Sequence, residues 1–245
     1  MSLVLAILAL LLGGVMKGAT GAGAPVIAAP ALTMLFNVQT AVAILVVPNL
    51  LGNIWQAWSF RKDALPLRFL VFFAGGGFIG AVLGTWLLVV LAPETLSLLV
   101  AFAVIIYIVL RLGKPGWVLP QARAHSFSAP VGMLGGLLQG ATGISAPASI
   151  TFLNAMRLPR PAFIGTIAIF FVAISSAQLP ALWTVGLISS QTLGFGLLAL
   201  VLILLAMPLG NWLGKRLPSR VFDLVLLTLL GLIALKILIE VLILG

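Results

Sequence analysis

Gly13–Pro25 reads GGVMKGATGAGAP and Gly135–Pro147 reads GGLLQGATGISAP, eight identities in thirteen positions at an offset of 122, half the chain length. A match between Gly/Ala-rich stretches gains weight only if the register holds elsewhere. It does: Gln56 aligns with Gln178 and Asn53 with Ser175 at the same offset, and with a small slip Gly84-Thr85-Trp86-Leu87 aligns with Gly210-Asn211-Trp212-Leu213. Two structural repeats are therefore expected, residues 1–112 and 129–245, joined by a polar cytoplasmic linker over 113–128.

Around this repeat the composition excludes a water-soluble globule. Of 245 residues 62% are hydrophobic and 7% charged, with a mean hydropathy of +1.31, whereas an ordinary soluble domain is roughly 25% charged. Apolar runs of about 20 residues are what a hydrocarbon slab roughly 30 Å thick selects. The chain reads as an all-α polytopic membrane protein. Its formal charge of +9 does not point to nucleic acid, because the basic residues sit in short loops between apolar spans. With no cysteine and a single histidine, His125, neither disulfides nor a metal site are expected, and no cofactor is implied. The apolar N-terminal run resembles a secretory signal but lacks a basic start, and its small-residue stretch recurs mid-chain, so it is read as retained structure.

Each half carries three spans of ordinary length: Thr40–Phe60, Leu67–Leu91 and Thr95–Arg111, then Ala162–Leu182, Gln191–Leu213 and Val221–Leu244. Ahead of each trio stand two shorter pieces, Ser2–Met16 with Pro25–Phe36 and Ala129–Gln139 with Pro147–Met156. Pieces of about 10 to 15 residues reach only about 15 to 22 Å. That predicts a re-entrant or broken helix pair joined by GATG in each repeat. Basic residues set the orientation. Arg61, Lys62 and Arg68 after the first long span, and Arg111 just before the linker with Lys114 and Arg123 within it, assign those loops to the cytoplasm. Arg157 and Arg160 precede the first long span of the second half, and Lys215, Arg216 and Arg220 follow its second, while the loop from Trp183 to Ser190 is uncharged. Equivalent loops thus fall on opposite faces, so the repeats are expected to be inverted, with both termini outside, as in many transporters. Tryptophans 55, 58, 86, 117, 183 and 212 mostly lie near span ends, as an interfacial belt would.

Pro25 and Pro147 sit where a new helix would start, a position that tolerates the missing N–H. Two half-helix N-termini are expected to meet near the midplane and hold an anion through free N–H groups, without a buried counter-charge. Candidate contacts in the glycine-rich stretches are Gly18, Thr20, Gly21 and Gly23, then Gly140, Thr142, Gly143 and Ser145. Asn49, Asn53 and Gln56 share one face of the first long span, and Ser175 and Gln178 occupy the same face of its mate. Amides and hydroxyls can donate to an oxyanion while staying neutral. Lys17 is the only charge in the first 60 residues, and its repeat partner is Gln139. An ionisable residue within a span is a functional candidate, although snorkelling to an interface would also account for it. Close helix packing and helix–helix hydrogen bonds are the competing accounts of the glycines and amides. Asp63, Glu94 and Asp223 fall in or beside loops, and Glu240 lies four residues from Lys236. No carboxylate relay and no catalytic residue are expected.

The paired motifs, with PNLLGNIWQAW at Pro48–Trp58 and LPRPAF at Leu158–Phe163, resemble the TauE/SafE family of sulfite exporters over essentially the whole chain. The resemblance implies a bacterial inner-membrane transporter of small sulfur-containing anions, sulfite or an organosulfonate such as sulfoacetate. Family members often read GIGGG or GFGG, where this chain has GAGA at Gly21–Ala24 and GISA at Gly143–Ala146. The expected partners are a small anionic substrate and the lipid bilayer, with no nucleic acid and with a homodimer left open. The expectation is a secondary transporter, exporter or facilitator, that binds the anion between the two GATG turns and exposes it to each side in turn. The alternative is an anion channel with a fixed pore.

Overall fold

The computed structural model describes residues 2–113, 118–216 and 219–244, and their regular structure is helical throughout. Lys114 and Trp117 lie outside the described residues, as do the side chains of Arg220 and Asp223. In chain order the helices are α1 (Ser2–Thr20), α2 (Ala24–Leu35), α3 (Val38–Ser59), α4 (Leu67–Val90), α5 (Pro93–Gly113), α6 (Gln121–Thr142), α7 (Ser149–Ala155), α8 (Arg160–Thr184), α9 (Ser190–Arg216) and α10 (Ser219–Ile239), which continues as a π-helical turn at Glu240–Leu244. Among the described residues, six helices are long and apolar enough to cross a bilayer: α1, α3, α4, α5, α8 and α9. Large apolar side chains such as Leu67, Leu205 and Leu232 point outward, where lipid removes the cost of exposing them. This is a multi-pass membrane protein.

Local chemistry sets the helix ends. Asn37, extended at φ −162°, accepts the Thr40 N–H at 2.7 Å and caps α3. Pro66, Pro120 and Pro159 stand immediately before α4, α6 and α8, where a preset φ suits helix entry. The first member of each short pair is longer than the sequence pattern suggests. α1 runs 19 residues rather than stopping at Met16, and α6 runs 22, from Gln121 rather than Ala129 and through Thr142. At 1.5 Å per residue that is about 28 and 33 Å, so neither is a half-helix. The reason lies in GATG itself. The Thr20 hydroxyl donates to Met16 O at 2.9 Å and the Thr142 hydroxyl to Leu138 O at 2.7 Å, which keeps Gly–Ala–Thr in the last helical turn. The chain breaks one residue later, at Gly21 (φ +83°) and Gly143 (φ +75°), a conformation open to glycine. α2, with 12 residues, and α7, with 7, are the short pieces. α6 also takes up the second half of the stretch expected as linker.

Glycine spacing brings backbones together. A Cβ on Gly80, Gly84, Gly136 or Gly140 would strike the backbone of the facing helix in the α4–α6 pair, and Gly14, Gly18 and Gly210 repeat this between α1 and α9. Small residues four apart permit such contact in a bilayer. Positions at the repeat offset make matching contacts across the halves. Gly18 abuts Met207 O as Gly140 abuts Ala81 O, Gly210 abuts Val15 O as Gly84 abuts Leu137 O, and Gly21 abuts Ile164 as Gly143 abuts Val42. α3 and α8 pack directly on each other between these two pairs.

Candidate functional site

The α1–α2 break gathers polar groups in the middle of the bundle. Lys17, in the last turn of α1, is 3% exposed, and its Nζ donates to Asn53 Oδ1 at 2.8 Å. Asn53 Nδ2 donates to Asn49 O at 2.5 Å and to Asn49 Oδ1 at 3.0 Å. Asn49 Nδ2 in turn donates to Ser175 Oγ at 3.0 Å. A one-way run of donors therefore crosses α1, α3 and α8 and joins the two halves. It exists because Asn49 and Asn53 are one turn apart on α3, on the face that meets α1 and α8. Lys17 is enclosed and does not snorkel. Among the described residues no carboxylate pairs with it; Glu240 pairs instead with Lys236 on α10, at 3.2 Å.

The start of α2 adds to this field. Gly23, at φ +99°, precedes it without a side-chain cap, and Pro25 stands in the first turn as the sequence suggested. Ala24 and Pro25 share with Lys17, Leu45, Pro48, Asn49 and Ile203 a cavity of about 10 Å³, room for about one water. Pro48 and Asn49 are midway along α3, so this spot is deep. The partial positive charge of a helix N-terminus and the Lys17 amine converge there. A second cavity, of about 390 Å³, reaches Lys17 from the other side past Gln56, Gly18, Gly21 and Arg160. Gln56 Oε1 is buried without a partner, and turning that amide over would offer its NH₂ as a donor.

The second break shares the left-handed glycine of the first, Gly143 at φ +75°, and has weaker polarity. Gln139 stands in Lys17's place, buried, its Oε1 without a partner. Gln178 Nε2 lies 3.5 Å from Gln139 O and 3.4 Å from Gly140 O. Thr142 Oγ1 accepts the Ile144 N–H at 3.2 Å, and Ser145 Oγ lies 2.9 Å from Ser149 Oγ.

Several sequence expectations change here. Pro147 precedes α7 by a turn rather than opening it, and α7 has only seven residues. The cavity at the start of α2 is lined by residues of α1, α2, α3 and α9. α1 and α6 run past the expected break: Gly21 rests against Ile164 near the start of α8, and Gly143 against Ala29 of α2 and Val42 near the start of α3. Gly18 and Gly140 are bare because another backbone lies against them. The Thr20 hydroxyl is engaged within its turn, with Met16 O and Ala22 O. Lys17, Asn49, Asn53 and Ser175 come together; Gln178, Gln139, Thr142 and Ser145 lie around the second break. One contributor escaped the sequence reading. Arg160 Nη2 donates to Gly18 O at 3.1 Å, Ala19 O at 3.2 Å and Asn211 Oδ1 at 3.3 Å, placing a cation on the C-terminal carbonyls of α1. It stands within LPRPAF, where it reads only as a loop charge.

Residues 5–237 match the family described as Sulfite exporter TauE/SafE. That family is one of membrane transporters that export sulfite and related anions. Comparison with curated proteins and with solved structures finds no match.

Proposed function

We propose that this chain, which belongs to the TauE/SafE sulfite exporter family, is a secondary transporter of a small sulfur-containing anion, sulfite or an organosulfonate, across the bacterial inner membrane. Its two repeats are inverted, and the anion is held mainly at the first break, by Lys17, the uncapped start of α2 and the amides of Asn49 and Asn53. Gln56 and Ser175 border that site, and Gln139 and Gln178 stand at its counterpart. The observation that carries this is a lysine enclosed in the bundle with an asparagine as its partner and no described carboxylate to balance it. A buried ion without a counter-charge costs several kcal/mol, and an anionic substrate removes that cost. Exchanged contacts at the repeat offset support two equivalent halves able to rock about a fixed site.

A permanently open pore would need a wider passage than the roughly one-water space beside Pro25, which favours a carrier over a channel. Counterflow in proteoliposomes tests this. Vesicles loaded with unlabelled sulfite should accumulate labelled sulfite with a saturable initial rate. Absence of saturable flux for sulfite and sulfoacetate under every gradient would contradict it.

A further inference from the structure

The cavity that reaches Lys17 past Gln56 differs in kind from the small space beside Pro25. It measures about 390 Å³ and lies between the ends of α1 and α3, the start of α8 and the second half of α9. Cavities of about 300–1,000 Å³ hold ligands of many atoms, so this one far exceeds what a four-atom sulfite fills. Its floor is polar. Lys17 and Gln56 are each 3% exposed there. Asn53 Oδ1 takes one of the three N–H groups of the Lys17 ammonium, and Gln56 Oε1 has no partner, which leaves the Gln56 amide uncommitted. The wall is largely apolar, built from Trp55, Phe60, Ile164, Leu204 and Met207. Trp55 and Leu204 are 61% and 43% exposed on helices long and apolar enough to span a bilayer, so the mouth on their side faces lipid. Arg160, also on the wall, is engaged by Gly18 O, Ala19 O and Asn211 and serves to close the end of α1. No acidic side chain is among the lining residues.

We infer, resting on the transport reading above, that this cavity selects the substrate by its tail: it prefers an organosulfonate with a short, uncharged apolar chain, the sulfonate at Lys17 and Gln56 and the chain along Trp55, Leu204 and Met207. Lys17 lines both this cavity and the one beside Pro25, so the head group stays within the central site and the tail extends from it. An apolar chain gains by leaving water for such a wall. The carboxylate of sulfoacetate would lose its hydration there with no counter-charge to replace it, and sulfite has no tail to cover the wall. A phospholipid combines an anion with apolar chains in the same way, and the experiment separates the two.

Binding of methane-, propane- and pentanesulfonate, and of sulfoacetate, is measured by calorimetry on the full chain in phosphatidylcholine nanodiscs, with empty discs subtracted. Affinity should rise about fourfold per methylene, and sulfoacetate should bind about tenfold or more weakly than propanesulfonate. Leu204→Trp narrows the mouth from its lipid face and should flatten the rise with chain length. Met207→Ala, which removes wall instead of adding it, should lower the rise as well. Gln56→Leu should weaken all the alkanesulfonates alike while the rise persists. Affinity independent of chain length, a rise that both wall substitutions leave intact, or no sulfonate binding overturns the assignment. So does a phosphatidylglycerol that stays with the purified chain and that pentanesulfonate does not displace. Counterflow separates this from the transport reading. A chain that binds with the expected rise yet moves neither sulfonate nor sulfite contradicts transport and keeps the preference of the cavity, whereas saturable sulfite counterflow with equal binding of all the alkanesulfonates contradicts the preference alone.

Discussion

At the first break Lys17 reaches Asn53 and α1 ends on the guanidinium of Arg160; at the second, Gln139 holds the same place with an unpartnered carbonyl and α6 ends near the amide of Gln178. The two breaks share left-handed glycines at φ +83° and +75° and threonines bonded back into the last turn, but they diverge after these glycines, where α2 runs 12 residues and α7 only 7. They differ in charge as well. Of the two breaks, the first carries Lys17 and Arg160.

Substituting the two breaks separately tests that asymmetry. Lys17→Met should reduce the initial rate of sulfite uptake in proteoliposomes by about 100-fold, the loss of a strong hydrogen bond to a charged group, whereas Gln139→Met should leave it within a few-fold. Equal losses would break the comparison. Packing, by contrast, should not distinguish the halves. Gly18→Val and Gly140→Val each force a side chain into a facing backbone and should lower stability by about 1–3 kcal/mol, read as thermal unfolding in detergent. A large difference between them would mean that only one glycine seam holds the fold. Arg160→Gln should cost up to about 1 kcal/mol through the exposed end of α1, with Gln178→Leu costing less; the reverse order would remove Arg160 as the cap. Smallest, Thr142→Val should cost about 1 kcal/mol or less, because the Ile144 N–H loses its acceptor, and the uptake rate should hold.

The glycine seams were legible because the same small-residue spacing recurs in both halves of the sequence, and Lys17 because no other charge falls in the first 60 residues. The long spans were placed to within a few residues at most of their boundaries, since uninterrupted apolar runs leave few alternatives. The lengths of α1 and α6 were not legible. Glycine and threonine argue for a break by propensity, yet the threonine hydroxyl bonds back to the helix and carries it one turn further. Arg160 was missed for a different reason: a basic residue between two spans already has a topological explanation, and only folding brings it onto Gly18 and Ala19, which are remote in sequence.

The central claim is that the anion sits at the first break. Crystals soaked with selenite, a heavier analogue of sulfite, and measured at the selenium edge test it without reference to rates. An anomalous peak within hydrogen-bonding reach of Lys17 Nζ, beside Pro25 and Asn49, is the predicted result. A peak only at Gln139 and Ser145, with none beside Lys17, would contradict it.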